Sequence, residues 1–215
     1  VLEGRYGAVT IRNETRLKDS VVRGLMEPAP NDAVTMAPLE RSLLLLADLP
    51  GVQVRSTLTP GASVGSSDLV LDVAPGPLVS GSVDGDNHGN RYTGYLQARA
   101  NAFINSLFQF GDQVNVTALQ SDEDLSYGAV QYSMPIGGNG VRATVGYSVT
   151  DYELGREFAN LRASGKAETL SAGVSYPWIR SRNTNVSSSL VFQKKDFFDE
   201  QQAVNASVSR TSDSV

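Results

Sequence analysis

From Leu78 onward, apolar and polar residues alternate with a period of two, in segments of roughly ten residues separated by turn residues. That period belongs to strands, because successive side chains point to opposite faces, whereas a helix repeats near 3.6. The clearest segment is Val141–Thr150, where Val141, Ala143, Val145, Tyr147 and Val149 oppose Arg142, Thr144, Gly146, Ser148 and Thr150. Others set Leu96, Ala98, Ala100 and Ala102 against Gln97, Arg99 and Asn101, and Val114, Val116 and Ala118 against Gln113, Asn115 and Thr117. Leu170, Ala172, Val174 and Tyr176 oppose Thr169, Ser171, Gly173 and Ser175. With Leu78–Asp84, Leu125–Met134, Val186–Gln193 and Ala203–Ser209, the pattern predicts about eight antiparallel strands. Gly137-Gly138-Asn139-Gly140 reads as a tight hairpin turn, and Glu153–Ala167 as the longer, charged connection.

The first third of the chain has another texture. Tyr6–Asn13 reads as a strand, with Tyr6, Ala8 or Val9, and Ile11 on one face. Ser20–Met26 reads as a short helix following Asp19, with Val21, Val22, Leu25 and Met26 on one face, closed by Glu27-Pro28-Ala29-Pro30. A second helix opens at Thr35 with Pro38 in its first turn, carries Leu39, Leu43 and Leu46, and stops at Asp48-Leu49-Pro50-Gly51. Strands Val52–Leu58 and Asp68–Val73 complete a β-α-α-β-β order. Pro75-Gly76-Pro77 is a stiff junction, so the expected units are residues 1–75 and 76–215.

The longest aliphatic run, Leu43–Ala47, is far short of the ~18 apolar residues a membrane helix needs. A strand barrel escapes that test, because alternation hides its hydrophobicity. A soluble β-sandwich alternates too, burying its apolar face on a second sheet. Two details favour the barrel. Its polar rows are rich in Ser, Thr, Asn, Gln and Gly and nearly free of Lys and Glu, as a lumen would be. Tyr147 and Tyr176 sit near the ends of apolar rows, where an aromatic girdle belongs. The lipid-facing set is then Leu96, Ala98, Val114, Val116, Val145, Tyr147, Val174 and Tyr176; the pore-lining set is Gln97, Arg99, Asn101, Asn115, Arg142 and Thr144.

A net charge of −5 with scattered Lys and Arg argues against a nucleic-acid binder. The chain has no cysteine, which excludes disulfides, thiolate metal sites and cysteine nucleophiles. Val1 is not a start residue and Glu3 and Arg5 interrupt any apolar leader; a cytoplasmic protein, or an interior fragment of a processed precursor, is expected.

Pro50-Gly51-Val52, Leu58-Thr59-Pro60-Gly61, Val64–Leu69 and Asp86–Gly94 follow one another, then Leu154-Gly155-Arg156-Glu157-Phe158, Ser164-Gly165 and Ser175–Arg182. In that joint order they resemble the outer-membrane translocators of two-partner secretion, the TpsB or hemolysin secretion/activation family. The resemblance implies an α+β POTRA module at residues 1–75, the second of two, in the periplasm. It implies that residues 76–215 are the N-terminal part of a sixteen-stranded transmembrane β-barrel. It also implies export of a large, unfolded exoprotein client without nucleotide hydrolysis or a cofactor, with outer-membrane lipid as the other partner. The family's Val-Arg-Gly-Tyr loop is missing; Val22-Arg23-Gly24-Leu25 imitates it on a predicted helix of the wrong domain. Because the chain ends on Thr211–Val215 without a closing strand, a partial barrel is expected rather than a complete eight-stranded one.

Catalytic chemistry finds little support. His88, the sole histidine, sits in a glycine-rich turn, so no multi-histidine site can form. Asp84-Gly85-Asp86-Asn87-His88-Gly89 begins like a calcium loop but places Tyr95 where the bidentate glutamate belongs. Glu3-Gly4-Arg5-Tyr6-Gly7 lacks the third glycine of a dinucleotide loop, and Asp122-Glu123-Asp124 reads as a solvated hairpin tip. Trp178 is expected to anchor at the membrane interface. No enzyme activity is expected. The competing functions are an assembly insertase of the same superfamily and a soluble adhesin or binding module. For client capture, the expected groove is the edge strand carrying Val52, Gln53, Val54, Arg55 and Leu58, beside the helix that bears Arg23.

Overall fold

The computed structural model describes residues 4–26, 30, 32–156, 160, 162–201 and 206–215. The proline-rich helix stop at 27–29, Glu3, Glu157-Phe158 and the first residues of the Ala203–Ser209 strand lie outside the described residues.

The N-terminal unit runs β1 (Arg5–Asn13), α1 (Asp19–Gly24), α2 (Met36–Ala47), β2 (Val52–Pro60) and β3 (Ser66–Pro75). Its sheet has the order β1-β3-β2, with β1 parallel and β2 antiparallel to the central β3. Alternation along β3 buries Leu69, Leu71 and Val73 under the helices, while Arg12 and Asp72 pair on the open face. Val22, Leu46 and Leu71 are fully buried in the main cluster with Leu17, Leu25, Leu45 and Leu49. Tyr6, Leu39 and Leu69 form a second cluster.

Alternation along β1 breaks at Ala8 and Val9 for a physical reason. The β1–β3 register shifts between Tyr6 and Val9, a bulge held by the Ala8 N–H donating to Asp68 Oδ1 at 2.8 Å. The extra residue returns Val9, not Ala8, to the core.

Among the described residues the buried Tyr6 hydroxyl has no hydrogen-bond partner. Burial, and after it the Asp32 carboxylate, push its phenol above the ordinary range. Tyr6→Phe removes this unsatisfied group, so its expected effect on the unit's denaturant stability runs from neutral to a gain of about 1 kcal/mol. A loss of stability in urea would reveal a partner for the hydroxyl.

After the Pro75-Gly76-Pro77 junction, eight strands form one antiparallel sheet in sequential order. They are β4 (Val79–Asp86), β5 (Gln97–Asn105), β6 (Gln113–Ser121), β7 (Leu125–Ile136), β8 (Val141–Glu153), β9 (Ala163–Arg180), β10 (Asn185–Gln201) and β11 (Ala206–Ser214). The sheet is open: β4 and β11 are its edges. The Gly137–Gly140 turn joins β7 to β8, with Gly137 at φ 68° and Gly140 at φ 82°.

The long charged connection expected at Glu153–Ala167 is shorter than its sequence suggests. The β8–β9 ladder continues to Glu153↔Ser164, and β9–β10 to Gln201↔Ala163. Polar residues take over the apolar surface there, so the backbone ladder extends where the apolar rows have stopped. At about 3.3 Å per residue, the 18 residues of β9 span roughly 60 Å, twice a hydrocarbon core of about 30 Å.

The N-terminal unit docks on one end of the sheet, where β5–β6, β7–β8 and β9–β10 turn. The Lys18 N–H donates to the Gln109 carbonyl at 3.0 Å and Ser106 Oγ to the Pro50 carbonyl at 3.3 Å. A Cβ on Gly138 would collide with the Gly24 carbonyl. This glycine therefore serves close approach between the two units as well as the turn.

Candidate functional site

Residues paired across strands share a face, so the register sorts every strand residue onto one of two surfaces. One rung runs Val114↔Tyr132↔Val145↔Ala172↔Phe192, and the next Val116↔Val130↔Tyr147↔Leu170. Ala98 and Val174 lie on the same surface through Gln120 and Ala143, with Tyr176 one rung beyond Val174. Leu96 precedes the first paired residue of β5 and is 58% exposed. Large apolar side chains on this surface are uncovered, including Val145 at 47% and Leu190 at 60%. A sandwich would lay a second sheet over them; the three-stranded sheet instead sits at the strand ends. Contiguous apolar exposure on this scale marks a surface that meets something other than water.

The opposite surface carries Gln97, Arg99, Asn101, Asn115, Arg142 and Thr144 together. One rung reads Asn115↔Gln131↔Gly146↔Ser171↔Gln193. Thr117 Oγ1 donates to Asn101 Oδ1 at 2.9 Å, and Asn101 Nδ2 to Ser82 Oγ at 3.3 Å, so polar side chains tie β4, β5 and β6 together. Between β7 and β10 a trough of about 370 Å³ is walled by small groups, among them Thr144, Gly146, Ser148, Ser171 and Gly173. Arg142 stands at the docked end, its Nη2 donating to Ser133 Oγ at 3.0 Å. Such a wall offers water-competent hydrogen-bonding groups, with a few charged side chains such as Arg99 and Arg142 among them.

The third surface is the free edge of β2. The Gly76 N–H donates to the Gly51 carbonyl at one end of the β2–β3 ladder, and the Gly61 N–H to the Ser66 carbonyl at the other. Antiparallel pairs alternate between bonded and non-bonded. Odd-numbered residues, Gln53 and Arg55 among them, therefore direct their backbone groups at β3. Val52, Val54, Ser56 and Leu58 turn theirs outward, while the Val52 and Val54 side chains pack on the helices.

Arg23 does not belong to this edge. With β3 central, β1 and β2 are opposite edges; α1, which carries Arg23, packs against β1, and α2 packs against β2. The helix beside the β2 edge is α2, a consequence of crossover order that periodicity does not register.

Other predicted positions have plain settings. His88 is exposed 3.8 Å from Asp86, in the bend after β4. Glu123 pairs with Arg156 at 3.3 Å across two loops. Trp178 is 62% exposed, donates to Ser188 Oγ at 2.9 Å and meets Tyr176 edge-on. Sequence reasoning missed Asp112, a fully buried carboxylate that accepts the Phe108 and Phe110 N–H groups and organises the β5–β6 turn. It also missed the ion pairs between α2 and the β9–β10 end; the basic Arg180-Ser181-Arg182 was the available signal. Among the described residues no helix is long and apolar enough to cross a membrane, and no group of acidic or histidine side chains could hold a metal.

The family described as haemolysin secretion/activation protein ShlB/FhaC/HecB matches residues 65–212. The heme/hemopexin transporter protein HuxB of Haemophilus influenzae (strain 86-028NP) is 30% identical over 213 residues, covering 98% of this chain and 38% of HuxB. The outer membrane transporter CdiB of Dickeya dadantii (strain 3937) is 27% identical over 145 residues, 64% of this chain and 25% of that protein. The solved structure of CdiB from Escherichia coli superposes with a TM-score of 0.78 at 20% identity, covering 99% of this chain and 40% of that one. The chain thus spans about two fifths or less of the length of these relatives.

Proposed function

The chain belongs to the haemolysin secretion/activation family, and from that premise we propose that it is part of an outer-membrane translocator exporting a large partner exoprotein. In this reading residues 1–75 are a POTRA-like periplasmic domain, the second of two. Residues 76–215 are the N-terminal part of the barrel. The observation that carries the reading is the two-faced sheet: one surface apolar and uncovered, the other lined by Ser, Thr, Asn, Gln and Gly with a few charged side chains, with the smaller domain bonded to one end. Lipid meets the apolar surface at Leu96, Ala98, Val114, Val116, Val145, Tyr147, Val174 and Tyr176. The lumen is lined by Gln97, Arg99, Asn101, Asn115, Arg142 and Thr144.

Polypeptide needs no catalyst to cross such a wall. A client in extended form exchanges hydrogen bonds with Ser, Thr, Asn and Gln side chains, none of which binds strongly enough to arrest it. Capture comes first, at the β2 edge. The outward N–H and C=O groups of Val52, Val54, Ser56 and Leu58 accept a client segment as an additional strand, which requires no fixed client sequence. Family membership favours this reading over an assembly insertase, and the uncovered apolar surface favours it over a soluble adhesin.

Val54→Pro in the complete translocator tests the capture step. The Val54 N–H points away from β3, so proline removes an outward donor without breaking the internal ladder. Loss of one such bond, roughly 1.4 kcal/mol, weakens binding of the client's N-terminal domain about tenfold and lowers secretion, while the barrel still inserts. Unchanged client affinity would remove the β2 edge from the mechanism and leave it to a contact with the upstream POTRA domain.

A further inference from the structure

Asp48 closes α2 as its C-cap. A carboxylate there faces the negative end of the helix dipole, so its placement is locally unfavourable. The compensation comes from the other domain: Arg180 at the end of β9 donates from Nε to Asp48 Oδ2 and from Nη2 to Asp48 Oδ1, both at 2.7 Å. Arg180 is itself held by Nη1 donating to Asn185 Oδ1 at 2.8 Å. A paired fork of this kind fixes direction as well as distance.

Two more polar side chains of the same helix bond to this end of the sheet. Arg41 Nη2 donates to the carbonyls of Asn139 and Pro177, at 3.2 and 3.1 Å. Glu40 Oε1 accepts the Arg182 N–H at 3.2 Å. Between them Leu45 fits against Gly140, where a Cβ would stand 2.6 Å from its methyl group. On the polar side of the wall, Leu45, Asp48 and Leu49 border a cavity of about 180 Å³ shared with Arg142 and Ser175. So α2 lies under the lumenal side of the wall, and α2 is the helix packed on β2.

We propose that the Asp48–Arg180 pair sets the angle between the two domains and so holds the β2 edge in position to pass a client to the lumen. Both are positioning residues; neither touches the client. The inference rests on the capture role given to β2 above and adds the coupling between capture and entry.

The test uses the complete translocator with Asp48→Arg, Arg180→Asp and the double exchange. Spin labels on Thr57→Cys and Ser189→Cys report the separation of the domains; the 215-residue chain has no native cysteine of its own. Each single reversal places like charges together and is expected to broaden that distance distribution and lower secretion severalfold. Heat-modifiable barrel folding and affinity for the client's N-terminal domain stay unchanged. The double exchange is expected to restore both distance and secretion. Unaltered distances in the single variants, altered distances with full secretion, or a folded double variant without rescue would each overturn the proposal. The distance readout needs no client, so failure here is distinct from failure of β2 capture, which the Val54→Pro affinity measurement reports.

Discussion

Val145→Arg is expected to destabilise the barrel by about 2–4 kcal/mol in a bilayer, whereas Thr144→Arg, one residue away, is expected to leave its stability nearly unchanged. The two positions are adjacent in β8 and point to opposite surfaces. Val145 is flanked across the ladder by Tyr132 and Ala172, on the uncovered apolar face. An arginine there must desolvate in hydrocarbon or drag water into it. Thr144 pairs with Ser133 and Gly173 beside the small-residue trough, where a guanidinium finds both water and space. Urea titration of the complete barrel in lipid vesicles measures the difference. Spin labels give an independent reading: one at 145 reports lipid and one at 144 reports water. Equal costs, or equal water exposure at both positions, would return the sheet to a soluble architecture.

The strands were legible because one surface of the sheet is apolar and the other polar; that difference writes period two into Val141–Thr150 and Thr169–Tyr176. Where it ends, the signal ends. Residues 194–201 of β10 carry polar groups on both faces, and in residues 163–168 of β9 the pattern inverts, with Ser164, Lys166 and Glu168 on the face that carries Leu170 and Ala172; cross-strand contacts hold these ends instead. Tyr152 donates to Asp199 Oδ1 at 2.9 Å, and Arg210 pairs with Asp199 at 3.5 Å. The β-α-α-β-β order could likewise be read locally, from Leu39, Leu43 and Leu46 or from Asp48–Gly51. Its crossover could not: Arg23 was assigned to the wrong edge because strand order is set by which apolar rows meet in three dimensions. The domain junction was hidden for the same reason. Asp48 and Arg180 are separated by 132 positions, and each alone looks like an ordinary surface charge.

Leu46→Ala is expected to cost the N-terminal domain about 2–5 kcal/mol, because it removes the contacts of three heavy atoms (Cγ, Cδ1 and Cδ2) at a fully buried site and leaves a cavity. A domain of this size is marginal, with total stability on the order of 5 kcal/mol, so the loss consumes much of what it has. Leu46 shares its cluster with Val22, Leu71 and Val73, and among the described residues every apolar side chain of that cluster belongs to the N-terminal domain. The sheet of β4–β11 is held by its own backbone ladders. Unfolding should therefore be confined: limited proteolysis at 37 °C cleaves the N-terminal domain of the Leu46→Ala translocator while the barrel keeps its heat-modifiable mobility. Leu43→Ala, at a partly buried neighbour, should cost less and serves as the control for helix packing. If the barrel fails to assemble in the Leu46→Ala variant, the two domains fold as one cooperative unit. The junction at Arg41, Asp48 and Arg180 would then belong to folding as well as to orientation. If the N-terminal domain stays resistant, the helical layer is not what stabilises its sheet, and the β2 edge does not depend on α2 for its shape.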